Sequence, residues 1–190
     1  MKKVKSNLFF CLSIFFVLII SGNALCSEYE ECKVLAEKGD AESQLKLGFM
    51  YYDGILVDKD KKEAIKWFRS AADQGNAIAQ SCLGSAYSLG DGVIKDYKEA
   101  LKWSSLAANQ GYAFAQFNLG VAYGYGQGIP QDFNEAFKWY KLAADQGYSF
   151  AQVNLGSMYQ HGQGIEQDYN EAAKWYRLAA EQGNSTAQHN

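Results

Sequence analysis

The chain has 190 residues, 48% hydrophobic and 21% charged, with 18 glycines and one proline, which is enough apolar matter for a sizeable core and excludes a disordered or collagen-like polymer. Its formal charge is −3; Lys2, Lys3 and Lys5 but no acidic residue precede position 27, so the remainder holds 15 basic and 21 acidic residues, a net −6. That sign argues against nucleic acid and anionic membrane as partners.

From the N-terminus, the three lysines lead into residues 8–20, an apolar run broken only by Cys11 and Ser13, and then into the small, polar stretch SGNALCS. A membrane-spanning helix needs about 20 apolar residues, whereas a secretory core needs roughly 7 to 15. Residues 1–26 therefore predict a signal peptide cleaved after Cys26, with Ala24 and Cys26 at the small-residue positions, and a periplasmic or secreted mature chain with no stable membrane span. An uncleaved anchor and a lipid-modified Cys26 are the alternatives, the latter disfavoured by bulky Leu25. After cleavage Cys32 and Cys82 remain, expected on non-neighbouring helices and as thiols instead of a disulfide.

Beyond the leader the sequence repeats. Gly39, Gly75, Gly111, Gly147 and Gly183 stand 36 residues apart, a constant period that signals a solenoid whose units stack on their neighbours. The domain reading is a capping helix at 27–38, repeats at 39–74, 75–110, 111–146 and 147–182, and the start of a fifth at 183–190.

Each unit predicts two helices. The first, helix A, carries Gln, Leu, Gly and Tyr at i, i+3, i+4 and i+7, as in Gln44, Leu47, Gly48 and Tyr51, which share one face. A mid-helix Gly costs about 1 kcal/mol relative to Ala, so its recurrence predicts close approach by another backbone. Helix A should end at Gly54, Gly90, Gly126 and Gly162 in left-handed caps. In the following loop three units hold a second Gly (Gly92, Gly128, Gly164) where the first has Leu56, so that loop should differ in shape or be strained. Helix B opens on Asp60-x-x-Glu63, Asp96-x-x-Glu99, Asp132-x-x-Glu135 and Asp168-x-x-Glu171, the pattern of a capping box. Trp67, Trp103, Trp139 and Trp175 then recur, each flanked by Ala three before and four after, as in Ala64 and Ala71. A tryptophan row can be a sugar or base platform, but with two Ala on the same face at the core period it predicts helix packing.

Residues 115–147, AQFNLGVAYGYGQGIPQDFNEAFKWYKLAADQG, resemble a Sel-one-like repeat (SLR), the 36-residue branch of the tetratricopeptide-like superfamily, and the resemblance covers residues 39–182 in full. It implies an all-α, right-handed solenoid of antiparallel helix pairs used mainly as an adaptor between proteins, with helix A lining the concave surface; bacterial members are often exported. On that surface the resemblance places a stripe that varies between units: Phe114, Asn118, Val121 and Tyr125 in the third and Phe150, Asn154, Ser157 and His161 in the fourth. Asn118 and Asn154 fall where such domains often bond a peptide backbone, while Lys46 and Cys82 occupy the matching positions earlier and put a full peptide clamp in doubt. For the charged first unit, with Glu42, Lys46, Phe49 and Asp53, a solvated surface accounts for the stripe.

Chemistry is poorly represented. Ser43 to Lys46 has Ser-x-x-Lys spacing, but Ser43 replaces Ala79, Ala115 and Ala151, and no Lys-Thr-Gly or Ser-Asp-Asn follows. Some exported cysteine-rich relatives are described as weak β-lactam hydrolases; they pair two cysteines inside one repeat, and no unit here has two. His161 and His189 lack partners at ligand spacing, so no metal and no cofactor is expected. Ala187 and Gln188 restart helix A with no Leu, Gly or Tyr after them, an arrangement compatible with self-pairing, docking on another protein or, as expected here, a monomer whose open C-terminal face still allows self-association. The functional expectation is an exported adaptor that binds a protein segment on the helix-A face; a slow β-lactam hydrolase and a structural spacer in an envelope complex are the rivals.

Overall fold

The computed structural model describes residues 22–187, with side chains from Glu28 onward. Most of the expected leader and the final three residues, His189 among them, lie outside the described residues. Within them the chain forms nine α-helices and no strand. They are α1 (Gly22–Glu37), α2 (Ala41–Asp53), α3 (Lys61–Asp73), α4 (Ala77–Leu89), α5 (Tyr97–Asn109), α6 (Ala113–Tyr125), α7 (Phe133–Asp145), α8 (Ser149–His161) and α9 (Tyr169–Glu181). The hairpins α2/α3, α4/α5, α6/α7 and α8/α9 stack in order, α3 on α4, α5 on α6 and α7 on α8, with α1 against α2. This is an all-α solenoid. Helix α1 is continuous through the expected cleavage point after Cys26.

The helix ends follow from local chemistry. Gly54, Gly90, Gly126 and Gly162 close the A helices in the left-handed region. Asp60, Asp96, Asp132 and Asp168 each accept two backbone N–H groups at the start of a B helix. The reciprocal arm of the expected capping box takes another form. The backbone N–H of each of these Asp residues donates to the carbonyl of the A-helix tyrosine, as from Asp60 to Tyr51 at 2.9 Å and from Asp132 to Tyr123 at 3.0 Å. Glu63, Glu99, Glu135 and Glu171 instead pair with Lys66, Lys102, Lys138 and Lys174 one turn on. The A–B turn is thus stitched by backbone, and the glutamates are left for exposed ion pairs that contribute little stability.

The seams between hairpins depend on a buried glutamine. Gln44, Gln80, Gln116 and Gln152 are 4–6% exposed, and their side-chain amides donate to the carbonyls of Ala36, Ala72, Ala108 and Ala144 in the last turn of the preceding helix, at 3.1 to 3.3 Å. Their side-chain oxygens accept from Gln74, Gln110, Gln146 and Gln182, which end the B helix of the same hairpin, at 2.7 to 2.9 Å. One turn on, Leu47, Leu83, Leu119 and Leu155 are fully enclosed. Because Ala36 lies on α1 and takes the same bond as Ala72, α1 occupies the place of a B helix ahead of the first hairpin.

The mid-helix glycines meet side chains more than backbone. A Cβ on Gly48 would stand 2.5 Å from the Phe68 ring, on Gly120 2.5 Å from Tyr140 and on Gly156 2.9 Å from Tyr176, while at Gly84 the neighbour is the Ser104 hydroxyl at 2.3 Å. These B-helix residues, each directly after a tryptophan, are the deeply buried ones, with Phe68 at 2% and Tyr140 at 4% exposure. Trp67, Trp139 and Trp175 lie only half-buried, toward the helix or hairpin before their own, their indole N–H groups enclosed without an acceptor. Where Ser104 leaves room in the second unit, Trp103 itself is buried and donates to Glu99. The tryptophans are not an open platform, since Arg69 and Lys102 cover Trp103 and Lys141 covers Trp175 within 5.1 to 5.3 Å.

Leu56 adopts φ +66°, beside +75°, +76° and +70° at Gly92, Gly128 and Gly164, so the first loop has the shape of the others and bears the strain. In the later loops a Cβ would also stand 2.3 to 2.7 Å from the backbone of the preceding B helix, whereas the Leu56 side chain is 43% exposed. Only the left-handed conformation opposes leucine there, at about 1–2 kcal/mol.

The Gly120–Tyr140 contact defines a double-mutant cycle. Tyr140→Ala should cost about 3–5 kcal/mol, the range for emptying a large ring site, and Gly120→Ala about 1–3 kcal/mol by overpacking. In the Tyr140→Ala background the added methyl group should become neutral or favourable by up to about 1 kcal/mol. Urea unfolding of the four proteins measures this, and additive losses would contradict the contact.

Candidate partner-binding face

The A helices differ from the B helices in chemistry. Helices α4, α6 and α8 contain no Asp, Glu, Lys or Arg, whereas α2 holds Glu42, Lys46 and Asp53. Helix α4 also touches α6 directly across one hairpin. The A helices therefore form a layer of their own, from which charge is missing after the first unit.

Within that layer Phe114, Asn118 and Val121 on α6 and Phe150, Asn154 and Ser157 on α8 are half-buried, while Tyr125, 73% exposed, and His161 stand outward at the helix ends. The stripe is not simply a wetted surface. Asn118 donates its side-chain N–H to the Ser85 hydroxyl on α4 at 3.3 Å, and Asn154 hydrogen-bonds the Tyr140 phenol. An asparagine amide has two N–H donors and a two-lone-pair oxygen, so these bonds orient both side chains and leave capacity for another group. The exposed His161 ring nitrogen lies 2.8 Å from the Ser157 carbonyl in its own helix.

Three aromatic residues that the sequence reading passed over join the stripe. Tyr112 and Tyr148 stand at the N-caps of α6 and α8, where Asp40 and Asn76 cap α2 and α4 through their side chains, and neither tyrosine makes a side-chain cap bond. Their rings, with Phe114, Phe117 and Phe150, form a continuous cluster: Phe114 to Tyr148 at 6.0 Å, Phe117 to Tyr148 at 5.2 Å and Tyr148 to Phe150 at 5.7 Å. Giving up an N-cap side chain costs about 1 kcal/mol. The signal was present in the repeats as a change from GDAESQ and GNAIAQ to GYAFAQ and GYSFAQ.

The first seam is polar by contrast. Asp91 accepts from the Tyr52 phenol and pairs with Lys61, both at 2.5 Å. Burial alone would raise the Asp91 carboxyl, but the bonds from Lys61 and Tyr52 outweigh it and hold it below the usual carboxylate range. Nearby Asp53 is raised by burial.

Nothing assembles a reaction centre from the residues considered in the sequence. Ser43 is 6% exposed, and its hydroxyl and backbone N–H are engaged by Asp40, which caps α2. Cys32 on α1 and Cys82 on α4 are thiols; Cys32 donates to the Ser43 carbonyl, and burial raises its pKa. Among the described residues no group of His, Cys, Asp and Glu could hold a metal ion, and no helix is long and apolar enough to cross a membrane. A shallow hollow of about 760 Å³ at the first A–B turn is lined by Tyr51, Gly54, Leu56, Val57, Asp58 and Asp60.

The model of the Sel1 repeat family matches residues 41–76, 77–112, 113–148 and 149–184, the same period as the glycines in a frame two residues later. A protective antigen of uropathogenic Escherichia coli that displays an SLR fold is 40% identical, with a TM-score of 0.81, over 86% of this chain and 35% of its own. A Sel1 repeat protein from Oxalobacter formigenes is 36% identical, also with a TM-score of 0.81, over 85% of this chain and 64% of its own. The chain thus spans less than two thirds of the length of either. Cysteine rich protein B of Helicobacter pylori, 21% identical with a TM-score of 0.55 over 69% of this chain and 94% of its own, shares the fold. No curated protein matches the chain.

Burial raises the phenol of Tyr140, with Tyr125 adding to the effect, and burial likewise raises those of Tyr52 and Tyr176. The folded state holds these protons after an unfolded chain would lose them near pH 10, so stability should be complete below that pH and fall as pH rises beyond it. Urea midpoints between pH 8 and 11 should show the decline, and Tyr140→Phe should flatten it; an unchanged slope in that variant would remove Tyr140 as a cause.

Proposed function

The chain belongs to the Sel1 repeat family, and from that membership we propose that it is an exported adaptor that binds a segment of a partner protein on its helix-A face. The observation that carries this reading is the variable stripe itself. At fold-determined positions the units agree, but on α6 and α8 they present half-buried rings beside oriented amides, and two helix caps are replaced by tyrosine to extend those rings. Local rules broken together at one place point to a functional surface. The binding residues are Phe114, Asn118, Val121, Tyr125, Phe150, Asn154, Ser157 and His161. Ring contacts from Phe114 to Tyr148 and from Phe117 to Phe150 join α6 to α8, the two helices that carry these residues, which suits a segment lying across the helices. Export is proposed from the leader at 1–26, and removal of that segment would leave the residues of α1 that pack on the first hairpin, Cys32 and Ala36.

A photo-crosslinking amino acid placed at Phe114 or Tyr125 should give an adduct of one defined mass in cells, and the same group at Leu142 on α7 should not. Adducts confined to Leu142 would move the interface to the B helices. Mass spectrometry of the protein recovered outside the cytoplasm should show a new N-terminus at Ser27; recovery of the full-length chain in the cytoplasm would overturn export.

A further inference from the structure

The proposed face has a chemistry that narrows its partner. In a chain with 21% charged residues, α4, α6 and α8 hold none, while the B helices carry ion pairs such as Lys138–Glu135, Lys141–Asp145 and Lys174–Glu171. Exposed leucines occur there too, Leu106, Leu142 and Leu178 at 43 to 47% exposure, but singly on helices that carry such charges. On the A layer the rings of Phe114, Phe117, Tyr148 and Phe150 are continuous. Leu89 on α4 is 61% exposed, Tyr125 on α6 is 73% exposed, and Phe117 joins Phe150 across α6 and α8 at 6.3 Å.

A charged side chain laid on this layer would lose water and find no opposite charge, whereas an apolar one gains roughly 25 cal/mol for each Å² it buries. We propose that the layer formed by α4, α6 and α8 docks a partner segment that is itself free of charged side chains across its contact stretch. Neighbouring helix axes lie about 8–10 Å apart, so three helices span roughly 20 Å, the length of about six residues of extended chain at 3.3 Å each. Asn118 and Asn154, held in place by Ser85 and Tyr140, supply neutral donors and acceptors to its backbone. The inference rests on the adaptor reading and adds the chemistry of what is adapted.

The probe is a phage-displayed library of random dodecapeptides, enriched on the full chain and on a Phe114→Ser, Phe150→Ser variant whose helical signal and melting are checked first. Tyr125→Ser, at an exposed position, serves as a second variant that leaves packing intact, and Leu142→Ser as the control. The expected enriched peptides share an uncharged run of about six residues, matching the span above. They lose binding to both A-face variants and keep it to Leu142→Ser. Placing one Glu or Lys inside the run should weaken binding at least about tenfold, because the charge is desolvated unpaired, and affinity should change less than about twofold between 50 and 500 mM salt. Enriched peptides that carry charge yet depend on the A face would overturn this inference and leave the adaptor reading standing. Peptides that bind all variants equally, or no enriched peptide together with capture of phosphatidylcholine vesicles, would overturn both.

Discussion

A glutamine buried between three helices sets the geometry of the stack. Each of Gln44, Gln80, Gln116 and Gln152 donates to the end of the helix before it and accepts from the glutamine closing its own hairpin. A buried amide left without its partner costs about 1–3 kcal/mol, so a hairpin that slid or rolled against its neighbour would lose the bond to the helix before it. Apolar packing alone tolerates such slippage, because burial has no direction. The carbonyls that receive the amides already accept the N–H of the glycine that follows each helix, as from Gly75 to Ala72 at 2.9 Å, so the glutamine uses their second lone pair. The leucines one turn on then find the same enclosure in all four units.

With the seam so determined, variation is free to collect elsewhere, and it does so unevenly. The first two units meet through the Tyr52, Asp91 and Lys61 clasp and the Arg69 stack on Trp103. The third and fourth meet through rings alone on the A side. The seam between the first two units is therefore tied in part by an ion pair that salt and acid can loosen, while between the last two the charge that remains is Lys141 over Trp175.

Much of this was legible in the sequence because the repeat exposes its own rules. Four aligned copies separate Leu47 and its counterparts from the stripe, and Gly54 and Asp60 mark helix ends by backbone chemistry alone. What was not legible depended on the third dimension. Gly48, Gly120 and Gly156 declare a close approach but not its author, and the residue that needs the space is a ring 20 positions on, after the tryptophan that attracts attention first. The glutamate of the Asp-x-x-Glu pattern found its usual donor already taken, since the tyrosine carbonyl receives the Asp N–H. Tyr112 and Tyr148 were visible as letters, but their meaning required knowing that the cap position of one helix lies beside the phenylalanines of the next.

That α1 offers Ala36 to Gln44 just as α3 offers Ala72 to Gln80 makes the glutamine bond alike at every joint. A 36-residue copy inserted in frame would bring its own glutamine and carbonyl to the new joint, although a copy carrying Leu56 behind another hairpin would set a side chain against backbone that leaves room only for glycine. Repeat number can then change at joints whose contacts are alike, and the seams that differ mark where such a change costs stability.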